Sequence, residues 1–311
     1  MRSHHWNSRG AIGLLVLLAA SAASAQRDPA YPGVPVNAVV TVEARHGKEV
    51  PEVRAEDVVV MQGKQRDPVA SWQPISETNR QFFILIDDAL STPGLGTKLR
   101  DIASFITSQP ANTAVGVAYM RNGTAVISQQ LTTDHTQAAK ALRLPVGYAG
   151  AGGSPYFALE DLLKRWQPAD AAREVVMISD GIEPFSDGHD LSDPYVNSAI
   201  EQAQRAGIVV NALYARGAGH SGHTFWRINW GQTYLSQLAD ETGGEAYFLA
   251  NDSAVSFSPY FKELNERMQH QFLLTFEAQP GKKSGMQSIK LATEVERAEL
   301  VAQTQVYVPV S

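Results

Sequence analysis

The sequence predicts an α/β fold, a doubly wound and mostly parallel sheet flanked by a small β-rich accessory domain. One observation is that residues 82–86 are all apolar and lead directly into Asp87. Such a run is typical of a strand that helices cover on both faces. A second observation is that strand-like and helix-like segments alternate about six times between 78 and 270, which is the pattern of a doubly wound, mostly parallel sheet.

Strand-like segments also lie on both sides of this central region. Residues 34–75 and 271–311 are rich in valine and other strand formers, and glycine turns such as Gly47 and Gly63 separate their segments. Neither set is large enough to bury a face by itself, so we expect the two to pack together as a small sandwich. The predicted organisation is a signal peptide at 1–25, a linker at 26–33, an N-terminal β segment at 34–75, an α/β domain at 78–270 and a C-terminal β segment at 271–311.

The amino terminus has the features of a secretory signal peptide. Arg2 and Arg9 precede an apolar stretch at 11–23, and Ala23-Ser24-Ala25 supplies small residues for cleavage. The stretch is shorter than the roughly 20 residues of a membrane-spanning helix. The chain contains no cysteine, so neither a disulfide framework nor lipid attachment through cysteine is expected. We therefore predict an exported bacterial protein, periplasmic or secreted, with no membrane span after cleavage.

The net charge does not favour nucleic acid as a partner, and the motifs do not favour a nucleotide cofactor. The formal charge of −6 becomes −8 after loss of Arg2 and Arg9, because 24 basic residues then oppose 32 acidic ones. An acidic surface does not favour nucleic acid, which binds to clustered Lys and Arg. The glycine-rich segment at 150–153 is too short for a dinucleotide fingerprint and lacks the lysine of a phosphate-binding loop, so no nucleotide cofactor is expected.

Oxygen-bearing side chains follow the predicted strands of the central region. Asp87 ends the strand at 82–86, with Ser91 four residues later. Asp180 ends a second apolar strand, and Ser154 follows a glycine-rich turn before a helix. Ligands in open α/β sheets bind beyond the carboxyl ends of the strands. We therefore expect these four side chains to converge there.

Three short motifs carry a resemblance to a known family. They are Asp-x-x-x-Ser at 87–91, Gly-Gly-Ser at 152–154 and Ser-Asp-Gly at 179–181. Their order resembles that of the von Willebrand factor A (VWA) domain and its metal-ion-dependent adhesion site (MIDAS). Ala89 stands where the family has a ligating serine, and Ser154 stands where it has threonine. The resemblance therefore implies a partly degenerate MIDAS.

The resemblance implies an exported, non-enzymatic protein of the binding or adhesion type. The opening segment at 56–64 is similar to that of a VWA-related group described from acidobacteria. The ion would be Mg²⁺, or alternatively Mn²⁺ or Ca²⁺, and a carboxylate of an unknown protein partner would complete its shell. The metal ligands that the resemblance implies are Asp87, Ser91, Ser154 and Asp180, the serines in direct contact and the aspartates mostly through water.

Two other functions are compatible with the same residues. In a metal-free interaction scaffold, Ala89 marks a lapsed site, and Asp87 and Asp180 serve only to cap helices or loop amides. In a serine hydrolase, Ser91, Ser154 or Ser221 would act with His220 or His223. His223 replaces the last glycine of a nucleophile elbow at 219–223, which does not favour the hydrolase.

Two loops complete the expectations. The acidic loop at 182–194, which contains Glu183, is expected to be solvated, with a second ion site as the alternative. The glycine-rich segment at 216–230 is expected to be a surface loop before a helix that starts near Gln232, with its aromatic residues packed onto the domain. Exposed aromatic residues also anchor partners, so this loop is a second candidate contact surface.

Overall fold

The chain alternates strands and helices through its middle and forms strands toward both ends. The computed structural model describes residues 33–90, 94–147, 153–185, 192–216, 225–248 and 254–310. The strands of this part are β1 (Val34–Ala44), β2 (Val58–Gln62), β3 (Gln65–Asp67), β4 (Val69–Pro74), β5 (Arg80–Asp87), β6 (Thr113–Arg121), β7 (Thr124–Thr132), β8 (Ala172–Ser179), β9 (Ile208–Tyr214), β10 (Ala246–Tyr247), β11 (Gln271–Ala278), β12 (Gly285–Thr293), β13 (Ala298–Ala302) and β14 (Gln305–Val308). The helices are α1 (Leu95–Thr107), α2 (His135–Lys140), α3 (Pro155–Arg165), α4 (Pro194–Ala206), α5 (Phe225–Thr242) and α6 (Ser258–Gln269), with short 3₁₀ turns at Ala55–Asp57 and Ile75–Glu77.

The central sheet has the spatial order β10-β9-β8-β5-β6-β7. Neighbouring strands are parallel except at β7, which pairs antiparallel with β6. In chain order within the sheet, the strands are sixth, fifth, fourth, first, second and third, which is the doubly wound order. The predicted α/β class with a doubly wound, mostly parallel sheet is confirmed.

Helices cover both faces of this sheet, which explains the unbroken apolar strands. Along β5, Phe82, Ile84 and Ile86 pack into a core with α1 and α6. Phe83 and Leu85 point the other way, into a core with α3, α4 and α5. Because successive side chains on a strand face opposite sides, every position between two helical layers has to be apolar.

Strands from both ends of the described region meet in two further sheets. Their orders are β13-β1-β11-β4 and β14-β12-β2-β3, so each sheet combines strands from before and after the central sheet. The two sheets share one apolar core, to which Val40, Val60, Leu274, Phe276 and Val306 contribute. No helix within the described ranges combines the length and the hydropathy needed to cross a membrane. The predicted signal peptide at 1–25 lies outside the described residues.

The helix α5 corrects the expectation for residues 225–230, which belong to the helix and not to a loop. Gly231 explains the error. In the sequence it reads as a loop residue, but in the structure it lies inside the helix and contacts the end of β8. A Cβ at Gly231 would lie 2.3 Å from the carbonyl oxygen of Asp180, so only glycine lets the helix approach the end of β8. Phe225 and Trp226 were expected to pack onto the domain, but they are 59% and 71% exposed. Trp230 does pack against the core, beside Tyr234.

Candidate functional site at the carboxyl edge of the sheet

Asp87 and Asp180 lie at the ends of two adjacent parallel strands. Asp87 is the last residue of β5, and Asp180 follows β8 directly. Both side chains are buried. Ser179 connects the strand ends, since its hydroxyl donates to Asp87 Oδ2 at 3.0 Å and accepts from the Gly181 N–H at 3.2 Å. The sheet therefore brings these two predicted site residues together, and Ser179, the first residue of the Ser-Asp-Gly motif, is a neighbour that was not among the predicted site residues.

The two aspartates have the same local geometry. The Ala89 N–H donates to Asp87 Oδ1 at 2.8 Å, and the Ile182 N–H donates to Asp180 Oδ1 at 3.0 Å. Each carboxylate thus accepts from the amide two residues ahead, as aspartate commonly does where a chain turns. Ala89 is buried and contributes its amide to the site, but its side chain carries no oxygen.

The surroundings of Asp87 disfavour the charged form of its carboxyl group. Burial raises the pKa of Asp87 above its ordinary value, and the nearby charge of Asp180 raises it further. The hydrogen bonds from Ala89 and Ser179 act in the opposite direction without cancelling the effect. Two buried like charges favour whatever supplies positive charge, either a proton or a cation.

Ser154 is the N-cap of α3 and is buried. Its Oγ accepts from the Phe157 N–H at 3.2 Å, and its hydroxyl donates to Glu183 Oε2 in a short contact. Glu183 is only 4% exposed, and its Oε1 accepts from the Phe185 N–H at 3.0 Å. The expectation of a solvated acidic loop is therefore wrong for Glu183, because the loop after β8 turns this side chain inward onto Ser154.

Asp193 brings another buried carboxylate to the same region. It caps α4, where its Oδ1 accepts from the N–H groups of Tyr195 and Val196 at 2.9 and 3.1 Å. Its Oδ2 is buried and has no hydrogen-bond partner among the described residues. Burial raises the pKa of Glu183, and the charge of Asp193 raises it further. Glu183 and Asp193 are therefore close enough to interact.

Tyr156 links the two pairs of carboxylates. Its hydroxyl donates to the Gly181 carbonyl at 2.9 Å. Its pKa lies well above the ordinary value, first because it is buried and then because of the charges of Glu183, Asp180 and Asp193. A single tyrosine that interacts with three carboxylates indicates one cluster of buried acidic groups at the ends of β5 and β8 and the starts of α3 and α4. We call it the acidic pocket.

Aromatic side chains hold the outer wall of this pocket in place. Phe157 of α3 packs on Phe185 of the loop after β8, with ring centroids 5.8 Å apart, and meets Tyr195 of α4 edge-on at 5.1 Å. The three rings belong to the three segments that supply Ser154, Glu183 and Asp193. Their mutual contacts fix the spacing of those segments.

Asp88, next to Asp87, has a different role. Both its oxygens accept from the guanidinium of Arg143, at 2.6 and 2.8 Å, and the Val146 N–H donates to it as well. Arg121 lies 3.8 Å away. Asp88 is therefore neutralised within the protein and points to the opposite side of the strand from Asp87, as the strand alternation predicts.

Ser91, which the resemblance implies as a metal ligand, lies outside the described residues, and so do His220, Ser221 and His223 of the hydrolase hypothesis. For the hydrolase hypothesis this leaves Ser154. The partners of its hydroxyl in the described ranges are Glu183 and the Phe157 N–H, and neither is the histidine base of a triad. Labelling of the protein by a fluorophosphonate would revive that hypothesis.

The donors present in the pocket are chemically suited to a hard cation. Asp87, Asp180 and Ser154 offer carboxylate and hydroxyl oxygen, which Mg²⁺ and Ca²⁺ prefer. Across the described part of the chain, no three acidic or histidine side chains are arranged to hold a metal ion together. Water would therefore have to supply much of the coordination shell, as it commonly does for Mg²⁺.

Known structures with a similar fold include three proteins of low identity. An aerotolerance-related membrane protein from Bacteroides fragilis is 16% identical, with a TM-score of 0.45 over 61% of this chain and 98% of that one. The conserved hypothetical protein BatB from Bacteroides thetaiotaomicron is 15% identical, with a TM-score of 0.45 over 61% and 97%. The VWA domain of SpRpn10 is 11% identical, with a TM-score of 0.40 over 60% and 95%. No protein-family model and no curated protein matches the chain.

Proposed function

We propose that this is an exported, non-enzymatic binding protein whose VWA-like domain recognises a protein partner through a divalent cation in the acidic pocket. The observation that carries the proposal is the pair of buried carboxylates, Asp87 and Asp180, which lie at adjacent strand ends so that the charge of Asp180 raises the pKa of Asp87. A cation would relieve the repulsion between them and would add a position for a ligand.

Four side chains would hold the ion, two through water and two directly. Asp87 and Asp180 would hold it mostly through water, while the hydroxyls of Ser154 and Ser91 would contact it directly. Ala89 fixes Asp87 through its amide but leaves one position of the shell without a protein ligand. When bound, Mg²⁺ supplies a Lewis-acid site, and a carboxylate of the partner protein would complete its octahedral shell.

The remaining organisation follows from the same proposal. The signal peptide at 1–25 would direct export to the periplasm or the outside, and 26–33 would link it to the folded part. The sheets formed by 34–75 and 271–311 would act as an accessory domain that presents the α/β domain at 78–270. Their shared apolar core supports this arrangement, since each of the two sheets contains strands from both segments and contributes to that core.

Cation binding can be measured directly on the purified protein. Titration with Mg²⁺ or Mn²⁺ in a calorimeter is expected to show binding at millimolar ion or below, together with a rise in melting temperature. Asp180→Asn is expected to abolish both signals, and Asp170→Asn, which changes an exposed acid far from the pocket, is the matched control. Neither heat nor a melting shift in the native chain would remove the cation from the proposal.

The partner is the second element to test. A pull-down from the envelope fraction, with and without a chelator, is expected to recover a protein only when the divalent ion is present. Recovery that is equal in both conditions would favour a metal-free mode of binding.

A metal-free interaction scaffold is the second candidate. Two observations favour it, namely the missing oxygen at Ala89 and the Ser154 hydroxyl that is already bonded to Glu183. Ala89→Ser discriminates between the candidates, because it restores the ligand that a VWA site would have. Ion-dependent stability in this variant, with none in the native protein, would show that the native site has lapsed.

A further inference from the structure

We propose that Glu183 is a positioning residue of the cation site, which accepts the hydroxyl proton of Ser154 and thereby turns a lone pair of that oxygen toward the cation. This inference rests on the proposed function. It adds a residue that the three-motif pattern does not contain, since Glu183 lies outside all three motifs. A loop acid would instead be expected to point into solvent.

The hydrogen bonds of Ser154 support the role. A serine hydroxyl has one proton to donate and two lone pairs to accept with. The proton goes to Glu183 Oε2, and one lone pair accepts from the Phe157 N–H. One lone pair remains, and its direction is fixed because the other two positions are occupied. A hydroxyl that is free to rotate would offer the ion its proton as often as its lone pair.

Glu183 itself is held firmly enough to impose this orientation. Its second oxygen accepts from the Phe185 N–H at 3.0 Å, so both oxygens of the carboxylate have fixed donors. The Phe185 ring stacks on Phe157, whose N–H is the other partner of Ser154. The loop after β8 and the first turn of α3 are therefore locked together around one hydroxyl. Buried carboxylates that orient metal ligands in this way act from behind the ligand and do not touch the ion.

Replacement by glutamine tests the direction of the hydrogen bond. If the amide oxygen of Glu183→Gln accepts from the Phe185 N–H, its NH₂ group faces Ser154 and can only donate to it. The serine oxygen would then accept twice, and no lone pair would remain for the cation. The substitution is close in shape to glutamate, so its effect on cation binding reports the hydrogen bond and not a cavity.

The experiment measures Mn²⁺ affinity by calorimetry on the full chain for the native protein, Glu183→Gln, Ser154→Ala and the double variant. Loss of an outer-shell partner typically weakens metal binding about 10- to 100-fold, and this loss is expected for Glu183→Gln. Because Glu183 acts through Ser154, the double variant is expected to bind no more weakly than Ser154→Ala alone. Glu183→Ala is a second variant with the same expected loss, should the glutamine variant not fold.

Asp193→Asn is the matched control for charge. Asp193 lies in the same pocket, is 2% exposed and does not contact Ser154, and asparagine keeps the cap of α4. It removes the same charge as Glu183→Gln, so a loss of a few-fold at most is expected. Melting temperatures without ion show that each variant is folded.

The outcomes separate this inference from the proposed function. Native Mn²⁺ binding with an unchanged affinity in Glu183→Gln overturns the positioning role alone. An additive loss in the double variant overturns it too, because Glu183 would then contact the ion itself. An equal loss in Asp193→Asn would show that charge suffices, which also overturns it. Absence of binding in the native protein overturns both this role and the cation of the proposed function.

Discussion

The amino ends of strands β5 and β8 bury a pair of opposite charges, whereas their carboxyl ends bury two like charges. At the amino ends, Arg80 of β5 faces Glu174 of β8, with Nε and Oε1 3.4 Å apart, and both side chains are buried. Arg80 also donates to the Met268 carbonyl at 2.9 Å and to Gln271 at 2.7 Å. At the carboxyl ends of the same strands, Asp87 and Asp180 bring two charges of the same sign together.

The difference distinguishes a structural ion pair from a candidate site. The Arg80–Glu174 pair joins opposite charges, and the further hydrogen bonds of Arg80 tie the central sheet to the junction of α6 and β11. The Asp87 pair lies at the edge where open α/β sheets bind ligands, and there two carboxylates of like charge lie close together. Strongly perturbed acids in such positions are more common at functional sites than elsewhere.

The largest change in stability is expected at the amino ends of β5 and β8, where Arg80 pairs with Glu174. Arg80→Met leaves Glu174 buried with no opposite charge, and the free energy of unfolding is expected to fall by about 3–5 kcal/mol. Urea unfolding measures the change. The double variant Arg80→Met/Glu174→Met is expected to recover part of the loss, because it removes both charges. A double variant less stable than the single one would show that Glu174 does not depend on Arg80.

At the carboxyl ends of β5 and β8, a substitution is expected to raise the free energy of unfolding. Asp87→Asn removes one of two like charges, so the free energy of unfolding in chelator at pH 8 is expected to rise by about 1 kcal/mol. Addition of Mg²⁺ is expected to stabilise the native protein but not this variant. Asp88→Asn is the neighbouring control and is expected to destabilise the protein, since it breaks the pair with Arg143. A loss of stability in both variants would contradict the repulsion between Asp87 and Asp180.

A third buried carboxylate extends the comparison to the flanking sheets. Asp67 of β3 is buried, neither of its oxygens has a hydrogen-bond partner among the described residues, and burial raises its pKa to about 6 from an ordinary value of 3.8. The folded state therefore binds the proton more tightly than the unfolded state. Its stabilising effect is complete below about pH 4 and is lost as the pH rises through about 6.

Asp67→Asn is expected to remove this pH dependence. The loss between pH 4 and 7 in the native protein is on the order of 1 kcal/mol, and the variant is expected to be the more stable at pH 7. Chemical unfolding at several pH values measures both. Equal slopes of stability against pH in the two proteins would show that Asp67 is solvated in solution.

The smallest effect is expected for a pair of exposed charges. Lys262 and Glu266 on α6 lie 3.9 Å apart, with side chains that are 79% and 63% exposed. Water screens such a pair, and Lys262→Ala is expected to change the free energy of unfolding by less than about 0.5 kcal/mol. A larger change would show that the effects at the two sheet ends are not specific to burial.

Much of the fold could be predicted because it depends on local pattern. The apolar run that becomes β5 and the similar run that becomes β8 required helices on both faces, and the structure has them. The start of α5 could not be predicted in the same way. Gly231 reads as a loop residue in the sequence, yet it lies inside the helix because the end of β8 passes within contact distance.

The candidate site was predicted in part. Asp87 and Asp180 follow apolar strands, and parallel strands end at one edge, so their proximity followed from the pattern. Glu183 was missed, since an acid in a polar loop has no periodicity that shows which way it points. Its position three residues after Asp180, in the loop leaving the same strand end, is the only signal the sequence offers.

By itself, the sequence determined the order of strands and helices and placed carboxylates at two strand ends, because both depend on residues that are neighbours in the chain. Only the tertiary structure decided which charges are balanced. Arg143 reaches Asp88 across 55 positions and Glu183 reaches Ser154 across 29. Such pairings depend on how the helices pack against the sheet, and packing is a property of the whole fold.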